Sequence, residues 1–381
     1  MLRIVILVIL LALTDSCQEI RLKAEDGGVV VGRSNEVHVS VNSHLVVEPA
    51  GTQHQAPSLP NCPGDPFTFR NRFKTISYKG MFRGEWFNTT ADSINGAELS
   101  AAILHFKDNA HYIDPPDITG PACGNAIPQT MVALYIAATY ETVEQVKKDL
   151  ESGVFPAVWA GHDLGIVLPF HYNIIDKTGA VLVLEHVKEG VKWYDNTVGV
   201  LTNSPPFPWH LDNLRNYPHF QRNDKGREGF KYSALGDSYS LSPQWTGSGL
   251  LGLPGDYTSP SRFVKAATLL ALAPTPATTN DAIVQVFHLM NAADIPFGIT
   301  ETGPENRSAY TWWIVVKDLR AGCVYYRGYI DLSVKRLCFD DVPNVKSAIR
   351  MEGQFEDGFR DTSEQLTDFH DITPQNRHNE L

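Results

Sequence analysis

Short alternations of apolar and polar residues near both ends of the chain predict antiparallel β-strands. Residues 18–23 and 29–31 flank the turn sequence Glu25–Gly28, which is typical of a hairpin, and the alternating valines of residues 37–41 predict a third strand. Further strands are predicted at Leu168–Ile175, Ala180–His186, Val191–Asp195, Tyr310–Val316 and, as a second hairpin, Val324–Tyr329 with Val334–Phe339.

Three other stretches carry helical spacing. An apolar face recurs within Thr130–Leu150, and a second helix is predicted for Ser259–Leu272, with the serine as cap and a proline in the first turn. A third is predicted at Asp281–Ala292, whereas residues 49–75, rich in Pro, Gly and polar residues, are predicted to be a surface loop. Because blocks of strands alternate with blocks of helices, the pattern favours a layered α+β fold over a parallel βαβ series.

The first 16 residues, 1–16, have the layout of a secretory signal peptide. Arg3 precedes the unbroken apolar run Ile4–Leu13, and Thr14 and Ser16 are small residues just before Cys17. The run is shorter than a bilayer-spanning helix requires, and no later stretch reaches that length. We therefore predict an exported protein with no transmembrane segment. A lipid-anchored cysteine is the alternative, although Thr14 stands where a lipoprotein signal has leucine.

The rest of the chain has no internal repeat and no clear linker. Residues 17–345 are therefore predicted to form one domain, followed by an acidic tail at residues 346–381. Residues 351–381 contain eight acidic and two basic residues, and the whole chain carries a formal charge of −11. This negative balance argues against a nucleic-acid partner, which requires a basic face.

The five cysteines are an odd number, so an exported protein would keep at least one of them outside an intramolecular disulfide. Cys323 and Cys338 flank the predicted second hairpin and are candidates for a bridge between its strands. Cys62 and Cys123 are a second candidate pair, although sequence alone establishes neither bridge. If both bridges form, Cys17 is the remaining thiol.

Three ordered sequence blocks carry a resemblance to a known family. They are Cys17–Gly27 with Gly32–Glu36, then Gly199–Pro205 followed by Trp209–Leu211 and Asn213–Leu214, then Gly249–Asp256 followed by Ser261–Phe263. Together they resemble the choloylglycine hydrolases of the N-terminal-nucleophile hydrolase superfamily. The resemblance implies a four-layer αββα sandwich of antiparallel sheets. It also implies cleavage of linear, non-peptide C–N amide bonds, as in conjugated bile acids and penicillin V.

The first block contains the candidate nucleophile. A cysteine at a mature amino terminus carries its own base, because an α-amine has a pKa of about 7.7–8.0. Arg33 comes back toward Cys17 on the returning strand of the hairpin, where its charge would favour thiolate. In the family the matching arginine lies beside the thiol, and the residue matching Glu36 hydrogen-bonds the α-amine. Without the resemblance, Arg33 and Glu36 would be interpreted as ordinary surface residues.

The later blocks supply the other candidate catalytic residues. The resemblance assigns Asn203 as a side-chain donor to the oxyanion, although an asparagine that stabilises its own turn is an equal alternative on local sequence. Arg262 matches an active-site arginine of the family and lies in the first helical turn, where acidic residues are preferred. The second oxyanion donor of the family is a backbone N–H, which aligns near His105.

Several positions depart from the family pattern. Gln18 and Asn35 replace residues that are usually Thr and Met, and His105 stands where bile-salt-cleaving members tend to have Asn and penicillin-cleaving members Tyr. The predicted partner is therefore a small-molecule acyl amide of unspecified identity. The rival hypotheses are a catalytically silent ligand-binding relative and a lipid-amide hydrolase of the acid ceramidase or N-acylethanolamine type. No cofactor is predicted, the histidines show no metal-ligand spacing, and homo-oligomer formation is left open.

The compartment depends on the host. A bacterial protein with this leader would be periplasmic or secreted. In a eukaryote it would enter the secretory pathway, where Asn88 and Asn306 begin glycosylation sequons and His378–Leu381 is one substitution from an endoplasmic-reticulum retention signal.

Overall fold

Two antiparallel sheets form the centre of the fold. The structure, a computed structural model, describes residues 16–37, 42–82, 85–163, 166–223, 230–234, 237–241, 246–302 and 307–350. Within these ranges the strands of the two sheets are β1 (Ser16–Lys23), β2 (Val29–Val37), β3 (Asn42–Glu48), β4 (Thr75–Phe82), β5 (Glu85–Asn95), β6 (Ser100–His105), β7 (Phe170–Ile175), β8 (Val181–Val187), β9 (Gly190–Asp195), β10 (Val200–Leu201), β11 (Tyr310–Asp318), β12 (Cys323–Gly328), β13 (Lys335–Cys338) and β14 (Ile349–Arg350).

The first sheet has the strand order β10-β1-β2-β11-β12-β13, and the second has the order β9-β8-β7-β6-β5-β4-β3-β14. Every pairing within the two sheets is antiparallel. Short strand pairs lie outside them, at Gln53–Gln55 with Thr68–Arg70, Ala126–Pro128 with Ala157–Trp159, His162–Asp163 with Ile166–Val167, Phe230–Ala234 with Asp237–Leu241, and Glu301–Thr302 with Arg307–Ser308.

Helices cover the outer face of each sheet. In the described residues the α-helices are α1 (Val132–Thr139), α2 (Val143–Ser152), α3 (Phe207–Leu214), α4 (Ser259–Leu272) and α5 (Thr279–Asn291), and the 3₁₀ turns are Pro115–Asp117, Gly120–Gly124, Gln129–Met131, Ser248–Leu250 and Phe339–Asp341. Helices α4 and α5 contact the first sheet, and α1 contacts β5 and β6 of the second. The layers therefore run helix, sheet, sheet, helix, which confirms the predicted αββα sandwich.

Apolar residues fill all three spaces between these layers. Val31, Tyr78 and Trp313 belong to the core between the sheets, and separate apolar clusters lie beneath the two helical layers. Gly32 shows how closely β2 and α5 approach, since a Cβ atom there would lie 2.4 Å from the side chain of Val286. The hairpin between β1 and β2 turns through Gly27, whose φ of +86° favours glycine. These contacts fix the position of β1, which carries Cys17.

The structure corrects two predicted helices. The single helix predicted at Thr130–Leu150 is wrong, because the backbone is extended at Tyr140 and Thr142 and the Thr142 side chain accepts a hydrogen bond from Gln145 N, which starts α2. The role assigned to Ser259 is also wrong, since Ser259 is the first helical residue of α4 and Thr258 holds the cap position.

Several predicted segments differ in their bounds or fall outside the described residues. The loop predicted at residues 49–75 contains the short strands at residues 53–55 and 68–70. The third strand predicted through the valines of residues 37–41 is described only at Val37, which ends β2. Residues 349–350 pair with β3, although they belong to the predicted tail. The predicted leader up to residue 15 and residues 351–381 lie outside the described residues.

Both candidate disulfides form. Cys62 is bonded to Cys123, and Cys323 is bonded to Cys338, its direct partner across strands β12 and β13. All five cysteines are described, and Cys17 is the free thiol. In the described part of the chain, no helix is both long and apolar enough to cross a membrane.

Candidate active site

Cys17 lies near the start of β1 and is buried, with 1% of its surface exposed. It pairs with Asn35 of β2. Because side chains alternate along a strand, Cys17 shares one face of β1 with Glu19, whose carboxylate reaches Asn173 on the second sheet. The thiol therefore faces the space between the two sheets rather than the helices that cover the first.

Arg33 contacts the sulfur atom of Cys17. Its Nη2 lies 3.6 Å from Cys17 Sγ and donates a 2.6 Å hydrogen bond to the carbonyl of Ile103. The guanidinium also lies over the ring of Trp313, with its central carbon 5.0 Å from the ring centroid. These contacts hold a buried, fully charged side chain against the thiol.

Asn203 connects the main chain of Cys17 to the helical layer. Its Oδ1 accepts hydrogen bonds from Cys17 N at 2.9 Å and from Arg262 Nη2 at 2.6 Å. Its Nδ2 donates to the carbonyl of His105 at 2.9 Å, and Arg262 Nη1 donates to the carbonyl of Cys17 at 2.7 Å. One asparagine thus joins residues that are far apart in sequence, from β1, β6, the segment after β10 and α4.

Glu36 is completely buried on the other face of β2. The pairing of β2 with β11 is irregular here, because Asn35 faces Trp313 while Glu36 faces Thr311, which leaves Trp312 as an extra residue. This bulge brings the Thr311 hydroxyl within 3.0 Å of Glu36 Oε1, while Oε2 has no hydrogen-bond partner among the described residues. Cys17 N is bonded to Asn203 rather than to Glu36, which differs from the contact that the family resemblance implies.

Burial dominates the ionisation of both groups. It raises the pKa of the Cys17 thiol above its ordinary value, an effect that the Arg33 charge, the His105 backbone N–H and the Arg262 charge oppose. Burial also raises the pKa of Glu36 to about 7, against the opposing charges of Arg262 and Arg33. The backbone N–H of His105 is thus close enough to the thiol to lower its pKa, and its role as an oxyanion donor stays a prediction.

Several residues that hold Asn203 in place were missed in the sequence. Ser259 Oγ accepts from Asn203 N at 2.9 Å, so the serine predicted to cap α4 instead anchors the site. His210 Nε2 lies 2.8 Å from Asn203 O. The buried His171 ring bridges Glu185 Oε1 and the carbonyl of Thr202, and it stacks on Phe106. The sequence indicated Ser259 and His210 only as a helix cap and as part of a block, and the signal for His171 and Glu185 was a polar residue within an apolar strand.

No group of three or more His, Cys, Asp or Glu side chains in the described ranges is arranged to hold a metal ion. The site supplies a thiol, two buried guanidinium groups, an amide and a carboxylate, which are the residue types that acyl transfer uses.

Comparison with known proteins identifies the family. The chain matches the family described as linear amide C–N hydrolases, choloylglycine hydrolase family, over residues 17–343. A bile salt hydrolase/transferase of Clostridium perfringens is 29% identical over 340 residues, which cover 87% of this chain and 96% of that protein. Another, from Lactiplantibacillus plantarum, is 30% identical over 271 residues, which cover 69% of this chain and 79% of that protein.

Solved structures agree with this assignment. A crystal structure of a variant conjugated bile acid hydrolase from Clostridium perfringens has a TM-score of 0.72 at 25% identity and covers 88% of this chain and 96% of that chain. Penicillin V acylase from Agrobacterium tumefaciens has a TM-score of 0.67 at 20% identity, with 88% and 90% covered, which supports the fold alone. The chain belongs to the choloylglycine hydrolase family and is a hydrolase of linear C–N amide bonds.

Proposed function

We propose that this hydrolase uses Cys17 as an amino-terminal nucleophile after residues 1–16 have been removed. The observation that carries the proposal is that one buried set of partners holds Cys17, with Arg33 at the sulfur, Asn203 at the main-chain nitrogen and Arg262 at the carbonyl. An amine at that nitrogen would lie within reach of its own thiol. Glu36 supports the proposal as well, because an α-ammonium has more N–H donors than an amide, and Glu36 Oε2 has no hydrogen-bond partner in the part of the chain that the structure describes.

The reaction we propose has two steps. Cys17 Sγ attacks the carbonyl carbon of an N-acyl amide, while the thiol proton passes to the α-amine and then to the leaving nitrogen as the C–N bond breaks. Water then attacks the resulting thioester, which releases the carboxylic acid and restores the thiol. The oxyanion of each tetrahedral intermediate would be stabilised by the backbone N–H of His105 and by an N–H of the Asn203 amide, which carries two hydrogens.

We also propose that the protein is exported. The Cys62–Cys123 and Cys323–Cys338 disulfides support this, because such bonds persist mainly in oxidising compartments. The signal peptide predicted at residues 1–16 also supports export. Mass spectrometry of the secreted protein tests both points, since a mature chain should begin at Cys17 without a lipid group.

For the substrate we propose an N-acyl amide with a bulky apolar acyl group. The relatives named for bile salts support this class. The test is a panel of a glycine-conjugated bile acid, penicillin V, an N-acyl homoserine lactone and an N-acylethanolamine, with Cys17→Ala as the control. We expect hydrolysis of at least one substrate by the wild type and none by the variant. A correctly processed protein that binds these amides but hydrolyses none would indicate the ligand-binding alternative.

The proposal predicts that the effect of Glu36 on stability depends on processing. In a chain that retains residues before Cys17, the folded-state pKa of Glu36 is about 7 against an ordinary 4.5, so folding favours the protonated form. Its contribution to stability is fully present below pH 4.5 and is lost as the pH rises through 7. Glu36→Gln should therefore stabilise the unprocessed chain at pH 8, relative to pH 4, by up to about 3 kcal/mol.

The measurement is denaturant unfolding of wild type and Glu36→Gln across this pH range, for processed and unprocessed chains. In the processed chain the α-ammonium would pair with Glu36, and we expect the stabilisation at pH 8 to disappear or reverse. The same gain in both forms would show that the amine does not interact with Glu36.

A further inference from the structure

A buried ion cluster lies between the sheets, two residues along β1 from Cys17. Lys317 Nζ donates to Glu19 Oε1 at 2.9 Å, to Ser100 Oγ at 2.7 Å and to Asp92 Oδ1. The side chains of Glu19, Lys317 and Asp92 are at most 1% exposed. Neither the predicted catalytic residues nor the mechanism proposed above uses this cluster, although burying three charges is costly unless each is paired.

The hydrogen bonds indicate how charge is distributed in the cluster. The ammonium of Lys317 has three donors and meets three acceptors, so its charge is fully satisfied. Glu19 Oε2 accepts a 2.8 Å hydrogen bond from Asn173 Nδ2, so both oxygens of Glu19 act as acceptors, as those of a carboxylate do. Burial raises the pKa of Glu19, the Lys317 charge opposes this, and the Asp92 carboxylate raises the pKa further. At the alkaline pH at which a thiol ionises, two carboxylates against one ammonium leave the cluster with a net charge of minus one.

This charge lies next to the cation that contacts the nucleophile. Glu19 is the direct cross-strand partner of Arg33 in the β1–β2 pairing, and it lies on the same face of β1 as Cys17. Arg33 in turn contacts both Cys17 Sγ and the carbonyl of Ile103. The guanidinium therefore interacts electrostatically with both the Cys17 thiol and the Glu19 carboxylate.

We infer that Glu19 is a positioning residue for the nucleophile, whose carboxylate offsets the charge of Arg33 and keeps Cys17 in the thiol form at rest. This inference rests on the proposed role of Cys17. A neutral thiol suits an amino-terminal nucleophile, because its proton has to be available for transfer through the α-amine to the leaving group. A permanently formed thiolate would supply the nucleophile but not that proton.

Several other charged groups act on Cys17 and Glu19. The charged groups that act on the Cys17 thiol are Arg33 and Glu36 of β2 and Arg262 of α4. Glu19 is faced by Lys317 from β11, Asp92 from β5 and Arg33 from β2. Replacing Glu19 by glutamine changes one charge in this set and keeps the length of the side chain.

The experiment measures the ionisation of Cys17 directly. Thiolate formation is followed by ultraviolet absorbance as the pH is raised, in the full processed chain with its disulfides intact and with Cys17→Ser subtracted. For Glu19→Gln we expect the midpoint to fall by about one pH unit, which is the effect of removing a unit charge about 10 Å away in a medium of effective dielectric near 20. Reaction with iodoacetamide below the midpoint should become about tenfold faster.

Matched variants separate the loss of charge from simple damage to the cluster. Ser100→Ala removes a hydrogen bond from Lys317 without changing any charge, and Glu19→Asp keeps the charge, so both should retain the wild-type midpoint. Asp92→Asn removes the second carboxylate and should lower the midpoint too, which provides the test if Glu19→Gln does not fold.

An unchanged midpoint in a folded Glu19→Gln or Asp92→Asn protein, or an equal shift in Ser100→Ala, would overturn the inference. The readout needs no substrate, so a failure of the proposed hydrolysis would be seen separately.

Discussion

A chain that begins at Cys17 is expected to hydrolyse its amide substrate, whereas the same chain with a few extra residues fixed before Cys17 should turn over roughly 10²–10⁴-fold more slowly. The factor is the usual contribution of a positioned general base. In the extended chain the nitrogen of Cys17 is an amide, which is not basic and cannot take the thiol proton. The thiol by itself would be only a few per cent ionised at neutral pH, and burial raises its pKa further.

The surroundings of the sulfur explain why no other group is expected to replace the amine. Glu36, the carboxylate whose charge raises the pKa of the thiol, lies on the other face of β2. In the described part of the chain, the side-chain atoms within hydrogen-bonding range of the sulfur are Arg33 Nη2 at 3.6 Å and Asn35 Oδ1 at 3.9 Å. An arginine stays protonated and an asparagine amide is not a base, so neither can act as the general base. The nitrogen of Cys17 is held by Asn203 in a fixed position, where an amine would be oriented by the same contact.

The experiment uses an extension that ends in a specific protease site. Turnover is measured before and after cleavage in the same sample, so that any difference arises from the new amino terminus alone. A chain with Cys17→Ala, treated in the same way, controls for activity of the protease preparation. Equal turnover before and after complete cleavage would contradict the amino-terminal mechanism and would leave a cysteine hydrolase with a different base.

The layered fold could be predicted because its signals are local. The β1–β2 hairpin, the strand at Tyr310–Asp318 and the helices at Ser259–Leu272 and Thr279–Asn291 each have a turn or a periodicity of their own in the sequence. The break between α1 and α2 was missed because the apolar spacing continues through it. A single threonine, Thr142, starts the second helix by a side-chain hydrogen bond, and apolar periodicity alone does not report that.

The site could be predicted only as far as its members occur in recognisable blocks. Cys17, Asn203 and Arg262 come together in the structure, and each lies in one of the three blocks. Their supporting contacts could not be predicted, because these depend on strand register and on packing between layers. Thr311 reaches Glu36 through a bulge, and Lys317 reaches Glu19 across nearly 300 residues of sequence.

Asn203→Ala is expected to lower kcat by roughly 10²–10³, the usual result of removing one oxyanion donor, or about 2.7–4 kcal/mol of barrier. The expectation rests on the proposal that one N–H of the Asn203 amide meets the oxyanion while the other binds the carbonyl of His105. The measurement is kcat and KM on the substrate identified by the panel, together with thermal unfolding. Ser204→Ala is the matched control, because it alters the same turn at an exposed hydrogen bond to Lys107 and does not contact Cys17.

A second substitution separates the two roles that Asn203 can have. Asn203→Asp keeps an oxygen to accept from the Cys17 nitrogen and from Arg262, but it removes both amide N–H groups. If donation to the oxyanion is the main role, Asn203→Asp should lose about as much kcat as Asn203→Ala, with KM changed less. If the residue mainly orients the amine of Cys17, the aspartate variant should keep most of its turnover while the alanine variant loses it. Near-normal turnover in a folded alanine variant would remove Asn203 from the catalytic residues and leave it as a turn residue.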